Sequence, residues 1–142
     1  MASIQSGGTY TITNAKAGTA LDLSGGDERS IIGFEFHGQG NQQWTFEQPQ
    51  GSGWTIRSVA TGKFLDIEGE PGDGTRVVAS DCPREWDIWP DEEDPSAFRI
   101  FIPDTAFNVD LSDHGNPTPG TPVTLWGKWN GRNQVCFPAS VI

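Results

Sequence analysis

A chain of 142 residues is long enough to bury one hydrophobic core without metal or disulfide staples. Nine basic against 19 acidic side chains give a net charge of −10, which repels phosphate backbones and anionic lipid and so excludes nucleic acid and membrane surfaces as expected partners. With 18 Gly, 10 Pro and only short apolar runs, tight turns joining short strands are expected and helix is nearly excluded, which is an all-β pattern.

The opening segment "MASIQSGGTYTITNAKAG" has no basic stretch leading into an apolar block, and nowhere do about 18 apolar residues run together. A soluble, cytoplasmic chain without membrane insertion is therefore expected. A first strand is predicted over "TYTITN", where Tyr10 and Ile12 alternate with polar residues. After a turn at Gly18 the chain returns through Leu21-Asp22-Leu23. A Gly- and acid-rich turn at 24–28 leads to a third strand around Ile31, and the fourth run centres on Trp44 in "GNQQWTF".

The same sequence of events recurs. "GWTIRSVATGKFLDIEG" (53–69) and "AFRIFIPDTAFNVDLSD" (97–113) align with "TYTITNAKAGTALDLSG" (9–25) at a constant spacing of 44 residues without a gap. Tyr10, Trp54 and Phe98 correspond, as do Ile12, Ile56 and Ile100, and then Asp22, Asp66 and Asp110. The apolar positions in these strands are expected to form the core. Turns follow at 70–74, 91–95 and 113–120. Third strands are expected at Val77 and Val123, and the last runs are expected to centre on Trp89 and Cys136. About twelve strands in three groups of four must close on themselves, because no single group can bury its own apolar side. The boundaries fall at about 1–48, 49–93 and 94–142, within one domain free of linkers.

Other chemistries find little support in these residues. His37 and His114 are the two histidines, and no G-x-S-x-G elbow accompanies them, so a nucleophilic triad is not expected. "PDEEDP" (90–95) reads as a solvated turn rather than opposed catalytic carboxyls. "EGEPGDG" (68–74) lacks the acidic spacing of a calcium loop, and no cofactor or metal is expected. Cys82 and Cys136 have no metal-ligand spacing and read as small apolar residues, with a single disulfide between them left open.

Threefold four-strand units with an apolar-Asp-apolar strand and a later Asn-Gln-x-Trp resemble the ricin-B-type lectins over the whole chain. "LDLSGGD", "IIG" and "GNQQWTF" resemble the mushroom branch of that family in particular. The resemblance implies a β-trefoil that performs no reaction and binds glycans ending in galactose or N-acetylgalactosamine. It also implies a homodimer as a plausible assembly. A sugar combines hydroxyls with an apolar C–H face, so its receptor needs fixed polar groups and an aromatic plate. In the first unit Asp22 and Asn41 supply the polar groups, Gln42 braces them, and Phe34 or His37 offers the ring. In the third unit Asp110, Asn133 and Gln134 repeat the set, with Trp126 or Trp129 as the plate. The middle unit keeps Asp66 but has Ser80 in the ring position and "REWDIW" in place of the amide motif, so its site is expected to be degenerate.

Two alternatives stand beside this reading. An aspartate next to Asn-Gln can simply tie a turn together through side-chain to backbone bonds, with no ligand involved. The mushroom branch also contains protease inhibitors, and "SGGDERSII" presents Arg29 followed by Ser30, a pair suited to the acidic pocket of a trypsin-like protease.

Overall fold

The computed structural model describes residues 4–49, 51 and 53–141. Among these residues twelve strands form, in three groups of four. The first group is β1 (Gly8–Asn14), β2 (Ala20–Leu23), β3 (Ile31–Phe34) and β4 (Trp44–Glu47). The second is β5 (Thr55–Ser58), β6 (Phe64–Ile67), β7 (Val77–Ser80) and β8 (Asp87–Pro90). The third is β9 (Phe98–Phe101), β10 (Phe107–Leu111), β11 (Thr121–Gly127) and β12 (Cys136–Ser140). Helical turns among the described residues are confined to Gly40–Gln42, Ser112–Gly115 and Arg132–Gln134.

The first and last strands of each group make a ring. Pairings β1–β4, β4–β5, β8–β9, β9–β12 and β12–β1 are antiparallel, and a bridge between Trp54 and Trp86 joins β5 to β8. Closing the ring removes free edges. The middle strands form the hairpins β2–β3, β6–β7 and β10–β11, which cap one end. The three hairpins touch one another through Ile32↔Pro122, Ser30↔Val78 and Arg76↔Thr124. This is the β-trefoil expected from the 44-residue period.

Alternation places one apolar set inside. Ile12, Ile56 and Ile100 are buried together with Leu21, Leu65 and Val109, and with Ile31, Val77 and Val123. The indoles of Trp44 and Trp86 are also fully buried, and each donates its N–H to a strand carbonyl at 3.0 Å, that of Leu21 and of Leu65. The middle unit's anchor is therefore Trp86, not Trp89 as the sequence reading has it. Trp89 lies on β8 opposite Arg99 and is exposed, because the bridge to Trp54 sets the register three residues earlier. Cys136 takes the same place in the third unit, paired with Phe98.

The β1–β2 and β5–β6 turns use Gly18 and Gly62, both at φ +76°, where an L side chain is strained. In the third unit the left-handed residue of this turn is Asp104, which suits an aspartate's tolerance of that region. Both cysteines are free thiols, Cys82 exposed and Cys136 buried, and burial pushes the Cys136 thiol up to about 12.

Candidate functional site

Each hairpin carries its aspartate on its first strand, and in the first and third units that aspartate faces the short helical turn that precedes the closing strand. In the third repeat Asp110 pairs across β10–β11 with Thr124, and the turn Arg132–Gln134 brings Asn133 and Gln134 against it. Asn133 Nδ2 donates to Asp110 Oδ1 at 3.2 Å and to the Leu111 carbonyl at 3.1 Å. Gln134 Nε2 donates to Asp110 Oδ2 at 2.9 Å and to the Gly127 carbonyl at 3.1 Å. Burial pushes the Asp110 carboxyl above the ordinary aspartate value, and the two amide donors offset only part of that.

A cleft of about 460 Å³ opens over this carboxylate, walled by Trp126 and Trp129 with His114, Asp113, Ser112 and Thr124. Both indoles are 46 % exposed. Trp129 is held at its edge by the His114 ring, with centroids 6.3 Å apart and planes at 82°. Gly131 allows this packing: a Cβ there would overlap Trp129 Cζ2 and lie 2.6 Å from Asn133 Oδ1. Asp73 of the middle repeat accepts from the Gly127 N–H at 2.8 Å and so braces the rim.

In the first repeat the same frame appears with different walls. Asn41 Nδ2 and Gln42 Nε2 both converge on Asp22 Oδ2, at 3.1 and 2.8 Å. Gln42 is fully buried and acts as the predicted brace, its Oε1 accepting from the His37 and Gly38 N–H groups. His37 Nε2 lies 3.9 Å from Asp22 Oδ2, and its ring meets Phe34 edge-on at 6.3 Å. Phe34 and His37 thus stand together at the predicted place, with an exposed Phe36 close by in the chain.

The middle repeat is closed. Ser80 Oγ donates to Asp66 Oδ2 at 2.7 Å, and Arg84, which stands where Gln42 and Gln134 stand, pairs with Oδ1. Burial raises the Asp66 pKa, but Ser80, Arg84 and the Ile67 N–H outweigh it and hold the carboxyl below its ordinary value. With Ser80 in the ring position and Arg84 in place of the amide, this unit lacks both the aromatic plate and the amide-held carboxylate of the other two.

The predicted residues of the first and third units are therefore brought together: Asp22, Phe34, His37, Asn41 and Gln42 in one place, and Asp110, Trp126, Trp129, Asn133 and Gln134 in the other. Sequence reasoning placed a turn at 113–120 but not its part in the site: Asp113, His114 and Gly115 all have positive φ, and Ser112, Asp113 and His114 form one wall of the cleft. The signal was the "SDHG" run that follows Asp110 and Leu111. Arg29 and Ser30 sit elsewhere, in a loop that is tied down. Arg29 Nη2 pairs with Glu68 Oε2 at 2.8 Å, and Ser30 bridges to Val78. The Ser30 hydroxyl and the N–H groups of Ser30 and Arg29 hold the Asp27 carboxyl down at about 2.

A family model described as ricin-type beta-trefoil lectin domain-like matches residues 3–80 and 40–126. Among solved structures, the ricin B-like lectin of Macrolepiota procera, in complex with lactose, is 54% identical and superposes with a TM-score of 0.94, over 96% of this chain and 97% of that one. The Rhizoctonia solani agglutinin is 27% identical, with a TM-score of 0.86 over 99% of this chain and 100% of its own. ThreeFoil, a designed threefold-symmetric protein, is 20% identical with a TM-score of 0.85 over 94% and 99% of the two chains, which shows the shared fold alone. A search among curated proteins finds no match.

Proposed function

Because the chain belongs to the ricin-type β-trefoil lectin domain-like family, we propose that it is a lectin that binds glycans noncovalently, at its third repeat and its first. The observation that carries this reading is the third-repeat cleft. A buried, amide-braced carboxylate lies at its floor and two half-exposed indoles stand at its walls. A hydroxyl of the sugar donates to Asp110, while the C–H face of the pyranose lies against Trp126 or Trp129. Asn133 Oδ1 is buried without a protein donor, so it is an acceptor that a ligand hydroxyl or a water can satisfy. In the first repeat Asp22 Oδ1 keeps its lone pairs, since both amides converge on Oδ2.

Galactose-type ends are the proposed ligands, and the lactose bound to the Macrolepiota procera lectin supports that choice. Nothing in the sugar needs to react: the groups that line the cleft hold hydroxyls and a ring face. Shallow polar sites of this kind bind at roughly millimolar to micromolar strength, so two per chain raise avidity on a glycan-covered surface, and a homodimer would raise it further. The protease-inhibitor expectation gains no observation, since Arg29 is committed to Glu68 and Ser30 to Asp27.

Calorimetric titration with lactose and with N-acetylgalactosamine tests the reading, with the indole N–H signals of Trp126 and Trp129 followed in parallel. Saturable binding that shifts those signals is expected. An absence of heat and of shifts at millimolar sugar would remove the lectin assignment.

A further inference from the structure

Arg99 is an unusual core residue. It lies on β9 and is 5 % exposed, whereas the equivalent positions in the other two units are Thr11 and Thr55. A buried guanidinium costs free energy unless its charge is paired and its N–H groups are used. Here every branch is used. Nε donates to Asp91 Oδ1 at 3.0 Å, Nη1 to Asn108 Oδ1 at 3.2 Å and to Gln134 Oε1 at 2.9 Å, and Nη2 to the Trp129 carbonyl at 2.9 Å. Asp91 is buried as well and receives the N–H groups of Glu93 and Asp94.

Stability alone does not account for this arrangement, because threonine fills the same position in two of the three units of one fold. The third repeat differs in how its glutamine is held. In the first repeat two backbone N–H groups, from His37 and Gly38, saturate Gln42 Oε1. In the third only the Trp129 N–H reaches Gln134 Oε1, at 3.1 Å, and Arg99 Nη1 supplies the second donor. Arg99 also takes the Trp129 carbonyl, so both backbone polar groups of the residue bearing the indole are fixed by one network.

We propose that Arg99 is a positioning residue for the third-repeat cleft: it locks the Gln134 amide, through it the Asp110 carboxylate, and through the Trp129 backbone the indole wall. The proposal rests on the lectin reading for its ligand but not for its geometry. Two donors on Gln134 Oε1, one of them the guanidinium, set the amide's direction, so Nε2 faces Asp110 and Gly127. A rigid frame of this kind keeps the sugar's acceptor and ring in register.

Arg99→Thr, which installs the residue of the other two units, and Arg99→Lys, which keeps the charge but loses the fork, test it. The readouts are lactose titrations followed at the Trp126 and Trp129 indole N–H signals for the third cleft and at the Asn41 side-chain amide for the first. Circular dichroism and thermal melting confirm folding. Expected is a loss of about tenfold or more in third-cleft affinity for Arg99→Thr and a smaller loss for Arg99→Lys, with first-repeat affinity unchanged. Without sugar, the Gln134 side-chain amide and Trp129 indole signals should shift or broaden in both variants. If the unaltered protein shows no lactose shift at Trp126 and Trp129, the lectin reading fails, and the sugar-free signals then decide the role of Arg99. Should Arg99→Thr fail to fold, Arg99→Lys carries the same tests. Unchanged sugar-free signals, or third-cleft affinity equal to that of the unaltered protein in the folded variants, overturn the proposal.

Discussion

The first and third repeats build one polar frame and surround it differently. In the first, Asn41 and Gln42 share one oxygen of Asp22, and the rings at hand are Phe34 and His37. In the third, each oxygen of Asp110 has its own amide, the rings are Trp126 and Trp129, and a left-handed turn with His114 adds a further wall. The middle repeat shows what happens when the frame is filled from within, since Arg84 and Ser80 occupy the carboxylate that the other two leave to amides. The core positions are common to all three because each strand must bury the same stripe. The rim is free to vary because it bears no such packing load.

The steepest contrast lies under the sites rather than in them. Trp44→Ala or Trp86→Ala is expected to cost about 3–5 kcal/mol of stability, since each empties a fully buried indole position and strands a strand carbonyl. Cys136→Ala, at the equivalent place, is expected to cost about 1 kcal/mol. Chemical denaturation of the three variants measures the gap, and equal losses would mean that the repeats share their load evenly.

Next in size is loss of the carboxylates. Asp110→Ala and Asp22→Ala are each expected to weaken their own site by roughly 1.5–3 kcal/mol, or about ten- to hundredfold, and to spare the other. Titration with lactose in the single and double variants reads this as one binding equivalent lost per substitution. If Asp22→Ala leaves the stoichiometry unchanged, the third repeat acts alone. Removing the plates should matter less. Trp129→Ala is expected to weaken the third site by about 0.5–1.5 kcal/mol and His37→Ala to weaken the first by less, because the smaller ring covers less of the sugar.

The gentlest lever is pH. Burial raises the Asp110 pKa above 3.8, so the ionised acceptor is complete only well above that value and is lost as pH falls through the raised pKa. Third-repeat binding should therefore fade on acidification before an ordinary aspartate would titrate, while the fold is still intact. Asp91 runs the other way. Burial raises its pKa, but the bond from Arg99 and the Asp94 N–H outweigh this, and the net depression makes its stabilisation complete above the usual aspartate range and lost as pH falls through its lowered pKa. Affinity followed by indole fluorescence and unfolding followed by circular dichroism, across the same acidic series, separate the two.

Much of this was legible in the residues. Period-2 alternation is a local property, so the strands, their apolar faces and the three units follow from the 44-residue repeat, and the aspartate and amide positions follow with them. What the alternation does not contain is register. "REWDIW" presents two tryptophans three residues apart, and the bridge from Trp54 chooses Trp86 for the core and leaves Trp89 on the surface. The same holds for the fate of single charges. Arg29 looked free in its loop until Glu68, 39 residues away in sequence, came within 2.8 Å. Nor does alternation show that Asp91, Asn108, Gln134 and Trp129 close around Arg99.

The sequence by itself determined the trefoil, the aspartate–amide frame in the first and third units and its absence from the middle one, because each depends on residue type at a fixed spacing along one strand or turn. Only the tertiary structure decided how open each site is, which rings wall it and which buried cation steadies it. Those outcomes depend on groups from different strands meeting in space, and ring closure sets their distances, not any local preference of the chain.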